Sequence, residues 1–202
     1  MGCLIMKLKS IYKTVLSESK NVGIVYHFTS LGRAVKILEQ DLLKSNTISR
    51  IVSRPTVSTT RDKNYIKNRQ AAQIRGNDIG FVLDGTAMSA NYKVMPVNDA
   101  SGFDQAEISW GDEQEEIWYG KKLESDGGIK NIKKFIKKVI ITKPGYELIT
   151  KPAVFNMKQS TIDKDQVISN IADLSQISDN RKKLKLVIEY FKKFGIEVEI
   201  YK

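Results

Sequence analysis

Asp112-Glu113-Gln114-Glu115-Glu116-Ile117-Trp118-Tyr119 is the stretch on which the fold turns. Four acids and an amide run straight into an apolar, aromatic segment, and Glu115 to Tyr119 reads as extended. Most acidic runs are solvated surface. A carboxylate at the first position of a buried strand lies instead at the edge of the core, where it meets a cationic or electron-poor ligand. Successive strand residues face opposite sides, so Glu115 and Glu116 cannot share a face, whereas Glu113 and Glu115 can.

Working upstream, Val57-Ser58-Thr59-Thr60-Arg61 follows Pro55, and Val57 to Thr60 reads as a short strand. Alternation puts Ser58 and Thr60 on one face and Val57 and Thr59 on the other. A hydroxyl on the inward face can donate to a carboxylate and hold it in position. Val22 to Thr29 is apolar and β-branched, the pattern of a buried strand, and it ends in Tyr26-His27-Phe28-Thr29. His27 there is either a core histidine bonded to backbone or a donor that orients a ligand at a strand end. Ser30 caps a helix from Leu31 to about Lys44, with Leu31, Ala34, Val35, Leu38 and Leu42 as its apolar stripe.

The remaining chain alternates between the two periods. Leu4, Ile5, Leu8, Ile11, Tyr12, Val15 and Leu16 mark an amphipathic first helix. Arg61 to Arg75 is polar and helical in part. Ile79 to Asp84 is a strand, Asp84-Gly85 a turn signal, Tyr92 to Val97 extended, and Asn98 to Gly111 loop-like. Gly127-Gly128 precedes an expected helix from Ile129 to about Lys138. Its apolar stripe is Ile129, Ile132, Ile136 and Val139, and Lys130, Lys133, Lys134, Lys137 and Lys138 lie on a solvated or phosphate-tracking face. Val139 to Thr142 is a strand stopped by Pro144. A last helix, about Arg181 to Phe194, leads through Gly195 into the strand Ile196 to Tyr201. Strands and helices mix without regular βαβ alternation, which points to the α+β class. With no linker-like stretch, residues 1–202 read as a single domain.

The 202 residues suffice for one domain with a sizeable core, and 41% hydrophobic with 28% charged residues is ordinary for a globular protein. A net charge of +10 attracts polyanions and favours a nucleic-acid or nucleotide partner, or else serves solubility alone. Cys3 is the only cysteine and His27 the only histidine. An internal disulfide, a Cys/His metal cluster and any two-histidine mechanism are therefore excluded, and a reducing, cytoplasmic setting fits. Met6 stands where a myristoylation signal prefers Ser or Thr, and no apolar run approaches the ~20 residues of a membrane helix. Neither a phosphate-binding Gly-rich loop nor a nucleophile elbow occurs.

In order and spacing, His27, Ser58-Thr59-Thr60 and Gln114-Glu115-Glu116-Ile117 resemble the ADP-ribosyltransferase superfamily. There a first strand carries His or Arg, a second a Ser-Thr-Ser-like or Tyr motif, and a third the catalytic Glu. Tyr-His-Phe-Thr followed by a helix looks like the His-type branch. Ser-Thr-Thr and Gln-x-Glu before an aliphatic residue look like the toxin branch, and the whole is similar to transferase-like domains of bacteriophage proteins, which would act in the host-cell cytoplasm.

The resemblance spans about Val22 to Trp118. It implies a split β-sheet core with surrounding helices around an NAD cleft, and transfer of ADP-ribose from NAD to a macromolecular acceptor, a nucleic acid or a protein. It implies Glu116 as the carboxylate that stabilises the oxocarbenium-like ribose, with Glu115 or Glu113 as alternatives. Ser58 would orient Glu116, and Gln114 would face the acceptor. His27 would bond the adenosine-side ribose and Thr29 the nicotinamide amide, with Phe28, Thr59 and Thr60 also on the NAD side. Tyr65 or Tyr92 would stack on nicotinamide. Two other activities remain open at this point: a non-catalytic module that binds a nucleotide or nucleic acid, and an NAD glycohydrolase.

Overall fold

The structure, a computed structural model, describes residues 22–49, 54–64, 77–97, 115–150 and 179–200. The expected first helix, the loop from Asn98 to Gly111, most of Arg61 to Arg75, and the candidate residues Tyr65, Glu113 and Gln114 lie outside the described residues. The chain divides into two compact units. The first holds residues up to Tyr26, Leu43–Lys63 and Leu83–Lys130; the second holds His27–Leu42, Asn64–Val82 and Asn131–Lys202.

The first unit is an antiparallel ribbon. Its strands are the first half of β1 (Ile24–Thr29), β3 (Asn46–Ser49), β4 (Arg54–Thr60), β6 (Lys93–Val97) and β7 (Glu115–Tyr119). The hydrogen-bonded order is β1-β4-β7-β6, with β3 on β4. Thr, Val, Ile, Trp and Tyr dominate these segments, as a pleated, half-buried surface favours. Pro96 falls in β6, an end strand of this ladder, where a missing N–H costs no ladder bond. Two short helices, α2 (Gly85–Ser89) and α3 (Lys121–Asp126), follow strands directly. Asp84 accepts from Ala87 N at 2.8 Å and caps α2, so the Asp-Gly pair opens a helix where a turn was expected. Gly127, at φ 71°, closes α3 in the left-handed conformation. A two-stranded ladder of β2 (Leu42–Lys44) and β8 (Gly128–Lys130) completes the unit. Trp118, Leu123, Ile129 and Met88 are fully buried in it.

The second unit is built on α1 (Leu31–Gln40), β5 (Ile79–Asp84), β9 (Ile136–Ile141), α4 (Lys143–Thr150), α5 (Asn180–Lys192) and β10 (Glu197–Ile200). Its strand order is β10-β9-β5-β1, and β10 runs parallel to β9. Ser30 Oγ accepts from Arg33 N at 3.4 Å, as its capping position requires. The helix ends at Gln40, four residues before the expected Lys44. Asp41 adopts φ 49°, and its N–H closes on the carbonyls of Ile37 and Leu38. Leu42 and Leu43 then continue as strand.

The expected helix from Ile129 to Lys138 is not formed. Asn131 at φ 53° breaks the chain after β8, a 3₁₀ turn covers Ile132–Phe135, and β9 begins at Ile136. Ile129, Ile132 and Phe135 are buried at a spacing of three, which a 3₁₀ turn satisfies as well as an α-helix does. The β-branched run Val139-Ile140-Ile141 draws the rest into the sheet. Pro144 stands in the first turn of α4, a position where a missing N–H is tolerated.

Helices and strands thus mix in both units, with antiparallel ladders in one and a parallel pair in the other, compatible with the α+β class. Among the described residues no helix is long and apolar enough to cross a membrane.

Gly128 carries the tightest backbone approach of the first unit. A Cβ there would lie 2.2 Å from the Leu43 carbonyl oxygen, at φ 148°. Gly128→Ala is expected to cost about 2–3 kcal/mol. Gly127→Ala, which meets only the left-handed backbone penalty, costs about 1 kcal/mol. Urea unfolding midpoints of the two variants against wild type check the ranking.

Candidate functional site

The register of the ribbon decides which side chains meet. Thr59 pairs with Glu116, Val57 with Trp118 and Ser58 with Ile117 across β4 and β7. Pro96 and Val94 of β6 oppose Glu116 and Trp118 from the other side. One face therefore carries Val57, Thr59, Glu116, Trp118, Val94 and Pro96. On that face Glu116 is 1% exposed, Trp118 0% and Thr59 4%.

A carboxylate this deep needs a cation or a proton. Arg61 supplies the cation. It lies one residue past β4, and Thr60 Oγ1 accepts from Asp62 N at 3.0 Å, forming a tight hydroxyl-capped turn there. Arg61 Nε donates to Glu116 Oε1 at 2.8 Å, and Nη2 forms an ion pair with the same oxygen at 2.7 Å. Glu116 Oε2 is buried and has no hydrogen-bond partner among the described residues. Burial pushes the Glu116 carboxyl above its ordinary value, and the charge and hydrogen bonds of Arg61 pull in the opposite direction without cancelling it. Beside this pair, Trp118 Nε1 donates to Thr59 Oγ1 at 2.8 Å, which satisfies the buried indole.

Glu116 is thus interior to the ribbon. Ser58 is not its orienting partner. The pairing of Ser58 with Ile117 puts it on the opposite face, next to the small cluster of Met95, Ile117 and Tyr119. Glu115 pairs with Thr60 and Val97, one register position from Glu116. Thr60 is buried and also pairs with Tyr26 of β1. His27, Phe28 and Thr29 belong to the second unit, where Thr29 is buried and His27 half-buried. The Phe28 ring lies over Gly80, so close that a Cβ on Gly80 would sit 2.6 Å from it.

Tyr92, the other candidate for stacking on nicotinamide, is packed into the core of the first unit. It is buried, its hydroxyl accepts from Lys130 N at 3.2 Å, and it lies 3.4 Å from Asp126 Oδ2. The lysines of 130–138 do not share a helix face. Lys130 is in β8, Lys133 lies over the Phe194 ring at 4.9 Å, Lys134 over Phe135 at 4.7 Å, and Lys138 is paired with Glu199.

Two residues of the site escaped the sequence reading: Arg61 and Trp118. Arg61 shares the parity of Thr59, and Trp118 shares that of Glu116. Those were the available signals, and each gains meaning only once β4 is set against β7.

Arg61→Met should raise the Glu116 pKa further, since burial then acts unopposed. A carboxyl whose folded pKa is raised favours folding fully below its unfolded pKa and loses that contribution as pH rises through the folded pKa. The variant is therefore expected to lose about 2–3 kcal/mol against wild type above that pKa, at the lower end of a broken buried pair because Arg61 is partly exposed. The gap should close as pH falls to the ordinary glutamate range. Urea unfolding at pH 8 and pH 4.5 measures both limits.

No family model, no curated protein and no solved structure matches this chain, so its function is read from the arrangement of Arg61, Glu116, Thr59 and Trp118.

Proposed function

We propose that the protein is an NAD-dependent ADP-ribosyltransferase acting on a macromolecule, with Glu116 as the carboxylate that faces the ribose. One observation carries this reading. Glu116 is held rigidly through Oε1 by Arg61, and its other buried oxygen has no partner among the described residues. A structural ion pair normally satisfies both carboxylate oxygens, because an orphaned acceptor costs about 1–3 kcal/mol. An oxygen kept open beside a fixed one is what a carboxylate needs to meet charge that develops only during reaction.

NAD supplies a ribose with an electron-poor leaving group. Transfer breaks the ribose–nicotinamide C–N bond, the electron pair departs with nicotinamide, and an acceptor nucleophile bonds the anomeric carbon and gives up its proton. Positive charge develops on the ribose as that bond stretches. On this reading Glu116 stabilises the charge and accepts a hydrogen bond from the ribose. Arg61 holds the carboxylate in one rotamer and favours its ionised form against burial. The donor set fits a ribose: Oε2 can only accept from a hydroxyl when ionised, and Thr59 stands directly across the strand pair as a second polar contact.

The reading keeps the split-sheet transferase core as the fold, and Thr60, in the same unit as Glu116, as an NAD-side residue. Gln114 remains the residue facing the acceptor. The net charge of +10 favours a nucleic acid, or a protein bound to one, as that acceptor.

Glu116→Gln keeps size and removes charge. Nicotinamide release should fall about 10²-fold or more while NAD affinity changes little. Glu115→Gln should cost far less. Wild-type turnover should decline on acidification at a pH above the usual glutamate range, in line with the upward shift of Glu116. Nicotinamide release is followed by chromatography with and without cell lysate, with folding checked by thermal melting. Release without labelled macromolecule makes the protein a hydrolase. Absence of release with any acceptor removes the enzymatic reading in favour of a binding module.

A further inference from the structure

Helix α5 carries its positive charge where its own stability does not favour it. At about 100° per residue, Arg181, Lys182, Lys185, Glu189, Lys192 and the capping Lys193 fall within a sector of about 120°, and all six are exposed. The opposite side holds Val187, Tyr190 and Phe191, buried in the second unit. Five cations thus face solvent with one acid among them. Glu189 lies 3.8 Å from Lys185, and among the described residues Arg181, Lys182, Lys192 and Lys193 form no ion pair. The first turn holds Arg181, Lys182 and Lys183 and no acid, at the end where the helix dipole is positive. Arg181 and Lys185, four apart, are like charges on adjacent turns, a destabilising pair. The nearest acid in sequence, Asp179, is engaged with the backbone: its Oδ1 accepts from Arg181 N at 2.8 Å and from Lys182 N at 3.4 Å.

At the other end of the helix Lys133 lies over the Phe194 ring at 4.9 Å and adds a further cation. The row from Arg181 to Lys193 spans about 18 Å. That length of duplex carries about ten phosphate charges. A partner with regularly spaced negative charge relieves the repulsion within the row, and a neutral one does not. We infer that the exposed face of α5 docks the phosphate backbone of a double-stranded nucleic acid. Two features choose this partner among polyanions. An interfacial membrane helix needs apolar side chains to insert, and among the described residues of α5 no apolar one is exposed. A single strand is held by stacking its bases on aromatic rings, and the aromatics of α5, Tyr190 and Phe191, are buried. What remains is contact to the backbone, which positions a duplex without reading its sequence. Docking does not rest on the transferase reading; only the further step, that the docked duplex is also the acceptor, does.

The test separates this face from net charge. Affinity of the full chain for a short labelled duplex is measured by fluorescence anisotropy across a salt series, with DNA and RNA of one sequence as parallel probes. Lys185→Gln/Lys192→Gln/Lys193→Gln should flatten the slope of log K against log salt by about 2–3. Lys44→Gln/Lys93→Gln/Lys121→Gln removes the same charge from exposed positions of the first unit and should change the slope by less than about 1. Arg181→Gln/Lys182→Gln should flatten the slope by about 2 and also raise the thermal midpoint, because it relieves the first turn of α5. That double variant serves if the triple one unfolds.

Equal flattening by the two triple variants assigns binding to net charge and overturns the inference. So does a wild type that binds neither duplex at low salt, or one that prefers phosphatidylserine vesicles or single strands to a duplex. A preference for either duplex upholds the docking face and says which backbone it tracks. Nicotinamide release is measured on the same samples. Duplex binding without release removes the transferase reading and leaves the docking face standing, and release without duplex binding does the reverse.

Discussion

A carboxylate in the middle of an antiparallel ribbon is expensive, and the arrangement around Glu116 shows how that cost is met. Desolvation pushes the carboxyl above its ordinary value; Arg61 opposes this with its charge and with a hydrogen bond to Oε1. The guanidinium reaches the carboxylate because β4 and β7 are in the register that opposes Thr59 to Glu116 and because the chain turns at Thr60-Arg61-Asp62. A slip of one residue would bring Ile117 across from Thr59 and send Glu116 to the other face. Register, ion pair and the indole bond of Trp118 are therefore one constraint, and the chemistry proposed for the site depends on it.

The second unit is organised around aspartates in a different role. Asp78 Oδ2 accepts from Leu31 N at 2.9 Å and so occupies the first turn of α1, where a negative group is favoured. Its carbonyl accepts from Thr142 N at 3.0 Å, and Gly145 packs so closely that a Cβ would lie 2.1 Å from the same oxygen. Burial pushes the Asp78 carboxyl above its ordinary value, with the Leu31 N–H pulling the other way. At the far end of α1, the Asp41 side chain accepts from Lys133 N at 2.9 Å and its carbonyl from Ile132 N at 3.4 Å. Both ends of one helix are thereby tied to distant backbone by an aspartate, which explains why α1 stops where it does.

Elements with an unambiguous pattern were legible. The apolar run Ile79–Asp84 and the segment Glu115–Tyr119 form strands with the expected limits, and the last helix and strand lie within two residues of theirs. Short helices were not legible. Helices α2 and α3 span five and six residues, too few for a hydrophobic period to register. The stretch around Ile132 failed for another reason: apolar residues every third position suit a 3₁₀ turn and an α-helix alike, and a left-handed Asn131 is what separates the two. In the site, an acid entering an apolar strand marked Glu116, whereas Ser58 was given a role that the register of β4 on β7 denies it.

The sequence by itself determined which residue types could take part. It holds one histidine, one cysteine, an acidic run entering a strand, and a hydroxyl-rich strand ending in arginine. It also determined alternation within each strand, since the two-residue period is a property of the chain. Only the tertiary structure decided which faces oppose each other, because register is a relation between strands and a one-residue shift exchanges every partner. That relation selected Thr59 over Ser58 and joined Arg61 to Glu116. It also left the buried Oε2 of Glu116 without a partner among the described residues.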